Sequence, residues 1–295
     1  MKANGTGRSG GAAHGVARER ADAPSRSGPG SALARAASRA WRFAATGVGL
    51  PAFYLVAFAV GLTLAPYALL RFRRNRALAA IWLRTRFCAF YRLYFRAIEA
   101  AGVMTYRVEG AERLRAPNAL VVANHPTALD AVAVLACTTS ALCVTKKEDW
   151  WNPTLRIALD ASQMIPNTGG RDVVARSVAA LRGGETLVLF PEGTRSPAGG
   201  KHPFRRGAAH VALEARRDVL PVLVTCTPPV LGKRQRWWRI PPRAFELRLR
   251  VLDPVPIADY ARADLPTPLA ARMLTRALDE LFAKELQRAL GESAS

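Results

Sequence analysis

Val121-Val-Ala-Asn-His-Pro-Thr-Ala-Leu-Asp130 holds one imidazole, His125, and one carboxylate, Asp130, in an apolar frame. The run Ala119 to Ala123 leads in and reads as a buried strand, while Ala131 to Ala136 continues as a helix. Pro126 or Thr127 lies near the predicted helix start. The stretch is therefore strand, turn, helix. On one continuous helix a five-residue step rotates by about 500°, leaving the two side chains about 140° apart. They face each other only if His125 lies in the turn and Asp130 in the first helical turn. The carboxylate then accepts from one ring nitrogen, fixes the tautomer and leaves the other nitrogen basic. That is the base half of a triad without its own nucleophile, so the proton it removes belongs to a substrate hydroxyl.

Strands and helices alternate on both sides of this block. Tyr106 to Glu109 opens the body as a first strand. Ala141 to Thr145 is a buried strand ending at Lys146-Lys147-Glu148. After Trp150 and Trp151, Pro153 starts a helix through Ala161. Met164-Ile165-Pro166 is a short strand, followed by Asn167-Thr-Gly-Gly-Arg171. Val173 to Leu181 is a helix stopped by Gly183-Gly184. Thr186 to Phe190 is a buried strand running into Pro191-Glu192-Gly193-Thr194-Arg195. A glycine beside a carboxylate and a guanidinium at a strand end gives an open loop that lets substrate approach the backbone. Arg195 can bind a phosphate bidentately, and Glu192 would orient the acceptor or hold that arginine. Phe204-Arg-Arg-Gly207 leads into a helix through Arg216, Val219 to Val224 is a buried strand, and Phe245 to Leu252 alternates as a strand. Leu269 to Leu290 has helical period and closes the domain. The expected body is α/β, a central mixed sheet flanked by helices.

Ahead of that body the chain changes character. Residues 1–38 are rich in Gly, Ala, Ser, Pro and Arg without apolar period, the composition of a disordered basic tail. Phe43 to Leu70 carries no charge. As a helix it would be about 42 Å long, against a hydrocarbon core of about 30 Å. Gly47, Pro51, Gly61 and Pro66 interrupt it, and arginines flank both ends, so a one-leaflet hairpin competes with a tilted span. Ala77 to Ala101 interleaves aromatics with Arg84, Arg86, Arg92 and Arg96, as suits a helix in the headgroup region. Lys233 to Arg243, with Trp237 and Trp238, is a second candidate for interfacial contact. The expected division is a tail (1–38), membrane-associated helices (39–104), a catalytic domain (105–260) and a closing C-terminal helix (261–295).

Forty-three Lys and Arg stand against 22 Asp and Glu, a formal charge of +21 in 295 residues. Such a balance favours anionic partners: nucleic acid, phospholipid headgroups or phosphorylated substrates. A nucleic-acid-binding protein would need basic residues on one face with stacking aromatics, and the uncharged Phe43 to Leu70 stretch argues against it. The expectation is no nucleic-acid partner. Cys88, Cys137, Cys143 and Cys226 have no metal-ligand spacing, and reduced thiols in a cytoplasmic setting are the default. No Gly-rich nucleotide fingerprint or His/Cys cluster appears, so neither metal nor bound cofactor is expected.

Asn124-His-Pro-Thr-Ala-Leu-Asp130 and Phe190-Pro-Glu-Gly-Thr-Arg-Ser196, in this order, resemble the first and third blocks of the glycerolipid acyltransferase family, the lysophosphatidic acid acyltransferases and their relatives. The similarity covers roughly Tyr106 to Asp253, and Pro221 resembles part of the fourth block. The resemblance implies that His125 and Asp130 are catalytic and that Glu192, Gly193, Thr194 and Arg195 bind the acceptor. Lys146 matches the family's strand-end lysine, with Lys147 its neighbour. Arg171 matches the arginine of the second block, although two glycines precede it where the family has a tighter turn. The implied reaction moves a fatty acyl group from a thioester donor, acyl-CoA or acyl carrier protein, to the free hydroxyl of lysophosphatidic acid. Another lyso-lipid acceptor, such as lyso-ornithine lipid, would use the same His and Asp. N-terminal helices would seat the domain on the cytoplasmic face of the inner membrane. A membrane scaffold without catalysis is the remaining reading, and the intact His125, Asp130, Glu192 and Arg195 argue against it.

Overall fold

The computed structural model describes residues 29–295, apart from 198–199, 234, 236–242, 263–264 and 293–295. Seven strands form one mixed sheet in the order β1-β7-β6-β2-β5-β3-β4. They are β1 (Met104–Glu109), β2 (Leu120–Ala123), β3 (Ala141–Lys146), β4 (Ile165–Asn167), β5 (Thr186–Leu189), β6 (Val219–Thr227) and β7 (Phe245–Val251). Among the described strands only β6 and β7 pair antiparallel. The five strands from β6 to β4 therefore run one way, and their C-terminal ends share one edge.

The helices are α1 (Pro29–Arg71), α2 (Arg76–Ala100), α3 (Asp130–Cys137), α4 (Pro153–Ala161), α5 (Gly170–Arg182), α6 (Gly207–Ala215) and α7 (Thr267–Glu292). They cover both faces, which is why the central strands read as continuous apolar runs. All four residues of β2 are buried. Leu120 and Val122 face the core under α5, α6 and α7. Val121 and Ala123 face the opposite core, under α2 and α3. Toward the sheet edge β7 alternates buried and half-buried residues. Phe245, Leu247, Leu249 and Val251 enter the second core, while Arg248 and Arg250 pair with Glu109 on the other side. The helix starts depart slightly from expectation. α3 begins at Asp130, not at Pro126 or Thr127, and α5 begins at Gly170, so Arg171 lies in its first turn.

The N-terminal region corrects two expectations. The uncharged stretch makes no internal hairpin: Pro51 and Pro66 lie inside one helix of 43 residues. The chain turns at Phe72–Asn75 instead, and the Asn75 side chain caps α2 by accepting from the Leu78 N–H at 3.0 Å. α2 then returns antiparallel along α1. Trp41 Nε1 donates to the Ala101 carbonyl at 2.9 Å, Phe53 packs on Tyr91, and Tyr67 meets Trp82. Nor does α2 lie wholly in a headgroup layer. Leu83, Arg84, Phe87 and Phe95 are buried. Arg84 is 1 % exposed and donates to Glu185 at 2.6 Å, the Ser162 carbonyl at 3.0 Å and Ser140 Oγ at 3.2 Å. Arg92 donates to the carbonyls of Ala136 and Thr138 at the end of α3. Two of its five arginines are thus spent on the protein, and Arg86 lies over the Trp82 ring.

By contact density the chain divides into two compact units, residues 1–37 and 38–295. In the first, the described residues are the opening turns of α1. The expected basic tail lies mostly outside the described residues, as does most of the Lys233 to Arg243 patch, Trp237 and Trp238 included.

Candidate active site

β2 ends at Ala123, and the next residues turn across the C-terminal edge of the sheet. Asn124 is 1 % exposed and acts as a peptide group in side-chain form. Its amide donates to the Val224 carbonyl at 2.8 Å and accepts from the Val224 N–H at 2.7 Å. This ties the end of β2 to β6 and sets the exit direction of His125. Pro126 breaks the strand, and α3 starts four residues later.

Thr127 and Asp130 lock the turn that precedes α3, whose N-cap is Leu129. Asp130 Oδ2 accepts from the Thr127 N–H at 2.7 Å, Oδ1 accepts from Thr127 Oγ1 at 2.6 Å, and Thr127 Oγ1 accepts from the Leu129 N–H at 3.0 Å. Asp130 is fully buried, and its Oδ2 lies 2.8 Å from His125 Nδ1. Burial pushes the carboxyl above its ordinary range, opposed by the bonds from His125 and Thr127. The bonds from Thr127 fix the rotamer of Asp130, and Asp130 fixes the tautomer of His125. Nε2 has no hydrogen-bond partner among the described residues, and the imidazole is 18 % exposed. Its ring rests on Phe190, centroids 4.7 Å apart.

The loop after β5 closes over this pair. Glu192 is 2 % exposed. Its carboxylate accepts from the His125 N–H at 3.0 Å, the His202 N–H at 2.8 Å and Ser196 Oγ at 2.7 and 2.8 Å. The Ser196 N–H donates to the His125 carbonyl at 2.7 Å. Glu192 therefore grips the backbone on which His125 sits and makes no bond to Arg195. Gly193 follows with φ +67°, a left-handed conformation that disfavours a side chain, and a Cβ there would meet the Arg205 guanidinium at 3.2 Å. Thr194 is half-buried. Arg195 Nη1 donates to the carbonyls of Leu231 at 2.8 Å and Gly232 at 3.3 Å. Its Nε and Nη2 have no partner among the described residues.

The other two cations stand farther along the edge. Lys146 ends β3, two strands from β2 or about 10 Å across the sheet, and is exposed. Arg171 is exposed at the start of α5, after Gly169 and Gly170 at φ +80° and +66°. Those two left-handed glycines explain the departure from a tighter turn: they swing the chain from β4 directly into the helix. Arg171 lines a hollow of about 720 Å³ with Phe190, Gly193 and Arg205. A second hollow, about 340 Å³, is lined by Asn124, Pro126, Thr127 and Ser196. His125 and Arg195 line neither hollow; Asn124, Pro126 and Ser196 beside them line the smaller one, and Phe190, on which the His125 ring rests, lines the larger.

Asn124, Thr127, Ser196 and Arg205 were not singled out from the sequence. Thr127 was legible in the Thr-x-x-Asp spacing. The other three depend on contacts that sequence spacing does not reveal.

A histidine held by a buried aspartate at the C-terminal edge of an α/β sheet has the geometry with which a general base could act. No serine or cysteine side chain hydrogen-bonds its imidazole among the described residues. The four thiols are poor alternative nucleophiles: burial pushes Cys143 and Cys226 up to about 12 and raises Cys88 and Cys137 as well. Among the described residues no group of His, Cys, Asp and Glu side chains could hold a metal ion.

Residues 105–225 match the Acyltransferase family. The chain is similar to the 1-acyl-sn-glycerol-3-phosphate acyltransferase alpha of Mus musculus, 29 % identical over 154 residues, covering 50 % of this chain and 53 % of that protein. It is 27 % identical over 163 residues to the 1-acyl-sn-glycerol-3-phosphate acyltransferase of Limnanthes douglasii, covering 52 % and 56 %. The matched stretch thus spans about half the length of these relatives. The crystal structure of the 1-acyl-sn-glycerophosphate (LPA) acyltransferase PlsC from Thermotoga maritima shares the fold. Its TM-score is 0.54 at 21 % identity, over 85 % of this chain and 98 % of that one. By these matches residues 105–225 are similar to the Acyltransferase family.

Proposed function

We propose that the protein transfers a fatty acyl group from a thioester donor, acyl-CoA or acyl carrier protein, to the free hydroxyl of lysophosphatidic acid, making phosphatidic acid. The observation that carries this reading is the 2.8 Å bond between His125 Nδ1 and fully buried Asp130, with Nε2 left unpartnered. With Nδ1 protonated toward Asp130, Nε2 is the basic nitrogen and removes the proton from the acceptor hydroxyl. The acceptor oxygen attacks the thioester carbonyl, and the tetrahedral intermediate collapses with cleavage of the C–S bond. The imidazolium returns its proton to the departing thiolate. Asp130 stabilises the imidazolium while it exists. Arg195, one strand over, would hold the acceptor phosphate with Nε and Nη2 while Nη1 stays on the Leu231 and Gly232 carbonyls. Lys146 and Arg171 stand outside it as further cations.

The same reading seats the domain on one leaflet, at the cytoplasmic face of the inner membrane. Only 12 % of the most apolar window of Ala36–Arg71 is buried. Yet α1 lies antiparallel along α2, and α2 is anchored in the core along its length. A helix tied in this way lies beside the domain with its outer stripe toward lipid, and Arg71, Arg73, Arg74 and Arg76 at its tip meet the headgroups.

The test is an assay of purified protein with several lyso-acceptors, lyso-ornithine lipid among them, and both donor types, read by mass spectrometry. Acylation of lysophosphatidic acid above all other acceptors is expected. Acylation of a different lyso-lipid alone would overturn the acceptor assignment, and no product from any pair would overturn the reaction.

A further inference from the structure

The C-terminal helix reaches the loop that follows β5. Lys201 and Phe204 belong to that loop, and a single oxygen of Asp279 on α7 serves both. Asp279 Oδ1 accepts from the Lys201 ammonium and from the Phe204 N–H, the latter at 3.1 Å. This is not a solvated surface pair: the Lys201 side chain is 11 % exposed and Phe204 is 8 % exposed. The ammonium also lies 4.9 Å over the Phe204 ring. That ring meets Phe282 edge to face, centroids 5.0 Å apart. Asp279 and Phe282 stand at i and i+3 on α7, so one face of the helix holds both the backbone and the ring of the loop.

His202 lies between the two donors. Its N–H donates to Glu192 at 2.8 Å, and the Arg205 N–H donates to the Pro191 carbonyl at 2.9 Å. Residues 201–205 are therefore a strip of backbone fastened to α7 and to the Pro191–Glu192 turn together. Glu192 in turn accepts from the His125 N–H at 3.0 Å. One line of bonds thus runs from α7 through residues 201–204 and Glu192 to the backbone of His125. Its first link involves an ionised acceptor, which makes shorter and stronger bonds than a neutral one.

We propose that Asp279 is a positioning residue for His125. It touches neither the imidazole nor a substrate. It fixes where the His202 N–H meets Glu192, and hence where Glu192 holds the turn from which His125 projects. A general base tolerates little displacement, since a misplacement of about 1 Å costs on the order of 100-fold in rate. The inference rests on His125 being the base of the proposed reaction. It gives α7, which lies beyond the matched residues 105–225, a part in the site. If α7 only covered the core, through Leu274, Leu278 and Phe282, a change at Asp279 would alter stability and leave the imidazole as it was.

The test reads the imidazole directly. In full-length protein carrying isotope-labelled histidine, the His125 ring signals in NMR report its bond to Asp130, and they are assigned by their absence from His125→Ala. Asp279→Ala should shift or broaden these signals. It should also lower kcat for lysophosphatidic acid about 10- to 100-fold while leaving the acceptor KM unchanged. Asp279→Asn keeps an acceptor in the same place and should restore the signals and most of the turnover. Arg276→Ala breaks an exposed pair with Glu280 on the same helix and should change neither. Should Asp279→Ala fail to fold, Lys201→Met removes only the ammonium and should move the signals in the same direction by less. Unchanged His125 signals in these Asp279 and Lys201 variants, a loss confined to KM, no recovery in Asp279→Asn, or an equal change in Arg276→Ala would overturn the proposal. Signals that move as expected in a protein that transfers no acyl group would instead remove the acyltransferase reading and leave the positioning of His125 standing.

Discussion

Asp130 has every oxygen engaged, so its effect on His125 follows from position rather than from titration. His125→Ala should abolish acyl transfer while leaving the circular dichroism spectrum and membrane binding unchanged; near-normal turnover would sink the mechanism. Asp130→Asn keeps the shape but presents an amide that disturbs the tautomer, and a loss of kcat up to about 10⁴-fold is expected. On the proposed reading Arg195 would hold the acceptor phosphate as well as the Leu231 and Gly232 carbonyls, and its variants should separate the two. Arg195→Ala should cost about 2–5 kcal/mol in kcat/KM for a phosphate-bearing acceptor. Arg195→Lys should recover only part, since a point charge replaces the fork. A small acceptor without phosphate should lose little in either variant. An equal loss for both acceptors would mean that the bonds from Arg195 to Leu231 and Gly232 matter more than the phosphate. The raised thiols give a further check: iodoacetamide at neutral pH should leave activity intact, because neutral thiols alkylate slowly.

The helix α2 is best tested through Arg84. Its guanidinium ties α2 to the end of α4, to the residue before β3 and to Glu185 before β5. Removing one partner of a buried ion pair costs about 3–5 kcal/mol. Glu185 is 21 % exposed and can be partly solvated, so Arg84→Ala should cost about 3 kcal/mol in chemical denaturation. A change below about 1 kcal/mol in that measurement, on the order of an exposed pair, would show that α2 is held by its apolar residues alone. The same packing bears on truncation. Phe95 of α2 belongs to the core with β1, β6 and β7, so cutting the chain at residue 104 would expose that core rather than release a soluble domain.

At the scale of the whole molecule the question is which surface meets lipid. Val48, Leu55 and Leu62 are 68 %, 67 % and 52 % exposed at seven-residue intervals, a single outer stripe on α1. Leu55→Asp and Leu62→Asp should each cost about 3 kcal/mol if the stripe lies in hydrocarbon. In a vesicle flotation assay the double variant should leave the membrane fraction, or remain only through salt-sensitive binding by the arginines at the α1–α2 turn. Full retention at high salt would place the membrane contact elsewhere.

The sequence by itself determined the elements and the residue types of the candidate site. Strand and helix periods, the His-four-Asp spacing and the Gly-flanked carboxylate and guanidinium are local patterns, set by neighbours within one or two turns. It also set the length of the uncharged stretch, though not its path: Pro51 and Pro66 read as breaks, and the packing of α1 along α2 holds them in one helix. Tertiary structure alone decided the tasks of groups whose partners are distant in the chain. Glu192 reads as a ligand for substrate or arginine until the turn at His125 and the backbone of His202 close around it. Arg84 reads as a cation of a headgroup-layer helix until β3, α4 and β5 converge on it, and Asn124 reads as a motif letter until β6 lies beside it. The physical reason is common to all three. A polar side chain offers the same donors and acceptors anywhere, and burial against a particular backbone determines which of them remain for a ligand.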